Sequence, residues 1–110
     1  MSEFERIGLE PARQLLEQGA AVVDIRDPHS FAGGHITGAL HLDNTSLPDF
    51  VTAADREQAL IVCCYHGNSS QQAAAYFADL GFARVYSLDG GYALWQQQYP
   101  DKIAQPTPQT

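Results

Sequence analysis

The chain has 110 residues, 45% of them hydrophobic, a length and apolar content that support one core and not two. Its net charge of -7 rests on 13 Asp plus Glu against six Lys plus Arg, and the cations are scattered, which argues against a nucleic-acid partner. The opening Met1-Ser2-Glu3-Phe4-Glu5-Arg6 is acidic and lacks an apolar core, and no stretch reaches membrane-spanning length, so the sequence reads as cytoplasmic and without a membrane partner.

Short β-rich runs alternate with helical patterns. Phe4 to Ile7 reads as a weak strand, and Glu10 to Gln18 as a helix stopping near Gly19. Ala21 to Ile25 is a clear strand, broken by Arg26-Asp27-Pro28; a brief helical turn around Ser30 to Ala32 and Gly33-Gly34 lead to a short strand near Leu40 to Leu42. Ser46 is placed to cap a helix with Leu47, Phe50, Val51 and Ala54 on one face, ahead of a strand from Ala59 to Cys63. Ser69 or Ser70 would cap the next helix, which carries Ala73, Ala74, Phe77 and Leu80 at core spacing and stops at Gly81. A strand over Arg84 to Leu88, the turn Gly90-Gly91 and a helix through Trp95 complete a single domain over residues 1–100. Residues 101–110, rich in Pro, Gln and Thr, read as a polar, flexible tail. Such alternation implies an α/β sandwich with a mostly parallel sheet.

Cys64 falls where the apolar run Ala59-Leu60-Ile61-Val62-Cys63 opens into the loop Tyr65-His66-Gly67-Asn68-Ser69-Ser70 and a helix. In open parallel sheets ligands bind beyond the carboxyl ends of the strands. The amides of such a loop and the helix N-terminus favour negative charge at its first residue, so Cys64 is expected to be a thiolate and a nucleophile. Gly67 can turn the loop through positive φ, Asn68 tolerates similar conformations, and Ser69 can add a hydroxyl donor. Cys63, one step back on the strand, points the other way and reads as an inert core thiol; a disulfide between sequence neighbours is disfavoured by strain. His66 either steers an anionic substrate or is a polar surface group, and Tyr65 is either a pocket rim or loop packing; the residues leave both open.

Elsewhere scaffold roles are expected. Arg26 reads as one half of a structural ion pair, His35 and His41 as hydrogen-bonded groups, Tyr92 and Trp95 as core, Asp24 and Asp27 as capping or orienting groups, and Asp89-Gly90-Gly91 as a turn. Cys63, Cys64 and His66 are too crowded to form a tetrahedral metal site, and no second Cys or His pair has zinc-site spacing, so neither metal nor organic cofactor is expected.

Over nearly its whole length the sequence resembles the rhodanese family, and most closely that family's single-domain bacterial thiosulfate sulfurtransferases. The loop Cys64-Tyr65-His66-Gly67-Asn68-Ser69 is similar to their active loop. Asp24-Ile25-Arg26 with Phe31 and Gly34-His35-Ile36-Thr37-Gly38-Ala39 matches their first signature. Val85-Tyr86-Ser87-Leu88-Asp89-Gly90-Gly91 with Trp95 matches their last. The departures are Ser30, where the family often has glutamate, and Thr37, where proline is usual.

The resemblance implies a three-layer sandwich around a mostly parallel five-stranded sheet with helices on both faces. It implies Cys64 as the catalytic residue and Tyr65, His66, Gly67, Asn68, Ser69 and Ser70 as the substrate-binding loop. The implied reaction is a double displacement in which Cys64 takes a sulfur atom from thiosulfate as a persulfide and passes it to cyanide, or to a thiol such as thioredoxin or dihydrolipoate. Related phosphatases use a wider loop of a cysteine, five residues and an arginine; position 70 here is Ser, which opposes a phosphatase or arsenate reductase. A carrier module that delivers persulfide sulfur to a protein partner is the other alternative. With no Arg or Lys in the loop and a net charge of -7, weak capture of thiosulfate is expected.

Overall fold

A computed structural model describes residues 3–105. Along the chain lie β1 (Glu5–Ile7), α1 (Leu9–Glu17), β2 (Ala21–Asp24), α2 (Pro28–Gly33), β3 (His35–Ile36), β4 (Leu40–His41), α3 (Leu47–Ala53), β5 (Leu60–Cys63), α4 (Ser69–Asp79), β6 (Val85–Leu88), α5 (Gly91–Gln98), a 3₁₀ turn over Pro100–Lys102 and β7 (Ile103–Ala104). Five strands form one sheet in the order β1-β6-β5-β2-β4, with every neighbouring pair parallel. β5, with all four residues buried, runs through the middle.

Side chains of a strand alternate between faces, and here each face meets its own helices. Val22, Ile61 and Cys63 pack with Ala12 of α1 and with Tyr92 and Trp95 of α5. Val23, Leu60, Val62 and Val85 pack with Ala74 and Phe77 of α4 and with Phe50 and Val51 of α3. The result is the expected three-layer sandwich. No helix among the described residues is long and apolar enough to cross a membrane.

Several local expectations are corrected. The helix after the Arg26-Asp27-Pro28 break is longer than the turn expected around Ser30 to Ala32, because the Asp27 carboxylate accepts from the Ser30 N–H at 2.9 Å and from the Ser30 hydroxyl at 2.8 Å. At α3, Ser46 occupies the cap position but its side chain does not cap; the Asp43 carboxylate takes the Thr45 and Ser46 N–H groups instead, each at 2.9 Å. The packed chain also runs past residue 100. β7 pairs antiparallel with β3, the Thr37 N–H donates to the Lys102 carbonyl at 3.1 Å, and the Trp95 indole N–H reaches the same oxygen at 3.2 Å. A proline at position 37 would have no N–H to give, so this departure from the family pattern ties down the segment read as tail. Residues 106–110 of that tail lie outside the described residues.

Candidate active site

Cys64 follows the last residue of β5, at the carboxyl end of the central strand, and α4 begins five residues later. The backbone therefore folds around its sulfur. The Gly67 N–H donates to Sγ at 3.1 Å and the Ser70 N–H at 3.3 Å, while Ser70 Oγ stands 3.3 Å away in hydrogen-bonding geometry. Gly67 has φ +92, and a Cβ there would lie 2.9 Å from the Gly90 nitrogen, so only glycine fits the turn. Asn68, by contrast, has an ordinary φ of -94 and needs no left-handed tolerance.

The Ser70 amide is one of the donors that a helix start leaves without a partner. Neither Ser69 nor Ser70 is the cap: Asn68 holds that position with no side-chain bond, and the Cys64 sulfur accepts in its place. Nor is Ser69 the hydroxyl donor; it is exposed, and the hydroxyl at the sulfur belongs to the fully buried Ser70.

The loop is held from outside by α5. The Tyr92 N–H donates to the Cys64 carbonyl at 2.8 Å and the Ala93 N–H to the Tyr65 carbonyl at 3.0 Å. Across a trans peptide the C=O and the next N–H point in opposite directions, so anchoring the Tyr65 carbonyl on α5 turns the His66 N–H back toward the sulfur. The Gln71 side chain closes the loop by donating to the Gly67 carbonyl at 2.9 Å. Neither the α5 anchor nor Gln71 was singled out from sequence; Gly91, read only as a turn residue, is what admits α5.

Opposing influences set the charge of this sulfur. Burial is the largest and raises the Cys64 thiol; the Ser70 hydroxyl and the Ser70, Gly67 and His66 N–H groups act the other way, and together they hold it below the ordinary thiol range. Cys63 has no comparable cluster of donors: burial pushes its thiol far up and the nearby Asp24 carboxylate adds to this, outweighing the smaller opposite effects of Arg26 and the Tyr92 N–H. Two adjacent cysteines thus have opposite characters, and both are free.

Tyr65, His66, Asn68 and Ser69 are exposed and form the rim, whereas Gly67 and Ser70 are buried in its floor. The Arg26 guanidinium lies 5.3 Å from the Tyr65 ring centre and 4.1 Å from that of Tyr92. It is committed elsewhere, with two nitrogens on the fully buried Asp24 carboxylate at 2.8–3.0 Å and one on the Gly34 carbonyl at 2.7 Å. The expected structural ion pair is present, and it underlies the loop. His35 Nδ1 lies 2.9 Å from the Phe31 carbonyl and His41 Nε2 lies 2.6 Å from the Arg26 carbonyl, both scaffold contacts.

A site of this form, with backbone amides converging on one sulfur, stabilises negative charge there. The family model described as "Rhodanese-like domain" matches residues 9–98. A thiosulfate sulfurtransferase GlpE from Stutzerimonas stutzeri is 59% identical over 103 residues, covering 94% of each chain. Its counterpart from Pseudomonas aeruginosa is 64% identical over 97 residues, 88% of each. The solution structure of the rhodanese-like domain of the Anabaena Alr3790 protein superposes with a TM-score of 0.79 at 22% identity, over 98% of this chain and 87% of that one, a likeness of fold. Fold, signature segments and relatives converge, and the chain belongs to the rhodanese family.

Proposed function

We propose that the protein is a sulfurtransferase with Cys64 as nucleophile and Tyr65, His66, Gly67, Asn68, Ser69 and Ser70 as the loop that receives the sulfur. The observation that carries this reading is the convergence of the Gly67 and Ser70 amides and the Ser70 hydroxyl on one sulfur. The naming of close relatives as thiosulfate sulfurtransferases supports thiosulfate as a donor. In the first step the Cys64 thiolate attacks the outer sulfur of thiosulfate, the S–S bond breaks, and sulfite leaves with its electron pair. Cys64 then carries a persulfide whose terminal sulfur is anionic, the charge that amide dipoles stabilise. In the second step the carbon of cyanide, or the thiolate of an acceptor such as thioredoxin or dihydrolipoate, attacks the outer sulfur and restores the Cys64 thiolate.

The open rim of Tyr65, His66, Asn68 and Ser69 favours a second reading of the acceptor, a protein thiol that approaches from solvent. Phosphatase or arsenate reductase chemistry lacks its arginine, and the residue in that position, Ser70, is turned into the core.

The test is intact mass after incubation with thiosulfate, followed by cyanide and a thiocyanate assay. One added sulfur is expected in the wild type and in Cys63→Ser, none in Cys64→Ser, and cyanide removes it. Loading of Cys64→Ser, or no loading of the wild type, overturns the reading.

A further inference from the structure

Ser70 has one hydroxyl proton and two buried neighbours for it, Cys64 Sγ at 3.3 Å and Ser87 Oγ at 2.7 Å. Ser87 lies on β6, and alternation along that strand puts it on the same face as Val85, which packs against α4. Its side chain has no solvent exposure, and among the described residues its hydroxyl bonds only to Ser70.

We propose that Ser87 is a positioning residue for the sulfur site: it donates its hydroxyl proton to Ser70 and so turns the Ser70 proton onto the Cys64 sulfur. The significance of this for sulfur transfer rests on the function proposed above; the hydroxyl chain itself does not.

The chain of three groups can run in two directions. Running inward, Cys64 S–H donates to Ser70 and Ser70 to Ser87, and the Ser87 proton is left without an acceptor at a site closed to solvent, a costly arrangement. Running outward, Ser87 donates to Ser70 and Ser70 to the sulfur, and every proton is used. The outward direction needs a sulfur that accepts rather than donates, a role best filled by one with no proton of its own, the thiolate or the inner sulfur of a persulfide. In low dielectric the two aligned hydroxyls also polarise each other, strengthening the bond that reaches sulfur. Ser87 thus biases the site toward its anionic state without touching Cys64.

The test is titration of Cys64 in a Cys63→Ser background, by thiolate absorbance and by iodoacetamide rate against pH, in Ser87→Ala, Ser87→Thr, Ser87→Val, Ser70→Ala and the Ser70→Ala/Ser87→Ala double variant. The other ionisable groups around the site, Tyr65, His66, Asp89, Tyr92 and the Asp24–Arg26 pair, are the same in all of them. Ser87→Ala is expected to raise the Cys64 midpoint by about half to one pH unit, roughly a three- to tenfold loss of thiolate below the midpoint. Ser87→Thr should hold the wild-type midpoint and Ser87→Val, of matched volume, should lose it. The double variant should match Ser70→Ala alone, because Ser87 acts only through Ser70. An unmoved midpoint in Ser87→Ala, equal midpoints for Thr and Val, or an additive double variant overturns the proposal. Failure of the wild type to load sulfur while this pattern holds would count against the sulfur-transfer reading alone.

Discussion

Gly91 lies against the peptide of Cys64 with no room for a side chain: a Cβ on it would sit 2.4 Å from the Cys64 carbonyl oxygen and 2.6 Å from the Tyr65 carbonyl. This close approach lets the first amides of α5 take the two loop carbonyls, and through them aims the His66 N–H at the sulfur. Gly91 also holds a left-handed φ of +57. In Gly91→Ala the conformation alone costs about 1–2 kcal/mol, and the backbone displacement adds to it. The expected outcome is a lower melting temperature together with a loss of sulfur transfer on the order of 10²-fold, since small displacements of catalytic groups have large effects. Thiocyanate production and thermal unfolding of the same variant check it; wild-type values for both would refute the anchoring role.

The Asp24–Arg26 pair is sealed under the loop, with side chains 0% and 3% exposed. Removing one partner strands the other charge, so Arg26→Met or Asp24→Asn should each lose about 3–5 kcal/mol in urea unfolding, whereas the double variant should recover part of that loss. Arg26→Lys should also destabilise, because an ammonium cannot reproduce the fork that spans Asp24 and the Gly34 carbonyl.

Thiosulfate must approach a protein of net charge -7 through a rim beneath which Arg26 is already neutralised by Asp24. Repulsion that acts at long range is screened by salt, over about 30 Å at ~0.01 M and about 8 Å at ~0.15 M. The KM for thiosulfate is therefore expected to fall as ionic strength rises across that range. A KM lowest at low salt would show that a cation captures the donor after all.

The two cysteines make opposite demands on pH. The folded Cys63 thiol is raised, so its contribution to stability is complete below the unfolded value near ~8.5 and is lost as pH rises above it, at about 1.4 kcal/mol per unit. Cys64 is lowered, so its contribution is present above ~8.5 and is lost as pH falls through the folded value. Cys63→Ala should accordingly flatten the alkaline limb of the stability profile and leave the limb below pH ~8 unchanged in slope. An equally steep alkaline limb in that variant would place the loss elsewhere.

Much of this architecture is legible in the residues. The run Leu60-Ile61-Val62-Cys63 is buried on both sides and reads as a central strand, and Ala73, Ala74 and Phe77 mark the inner face of α4, with Leu80 at its C-cap. The position of Cys64 follows from those two elements. The less legible parts depend on tertiary contact. Strands as short as His35–Ile36 and Ile103–Ala104 carry no periodicity, so the docked end of the chain reads as tail until its pairing is seen. Two adjacent serines at a helix start are equivalent in sequence; the helical rotation that buries Ser70 and exposes Ser69 decides which hydroxyl meets the sulfur, and Ser87 is a partner only because β6 passes beneath. Thr37 in place of proline was the one written sign that something donates an amide bond there.

The anionic sulfur on which all of this turns can be measured directly in Cys63→Ser, by the rate of iodoacetamide alkylation of residue 64 across pH. A midpoint clearly below the ~8.5 of an ordinary thiol is the expected result. A midpoint at or above that value would mean that burial outweighs the Gly67, Ser70 and His66 donors, and the claim that this loop activates Cys64 would fail.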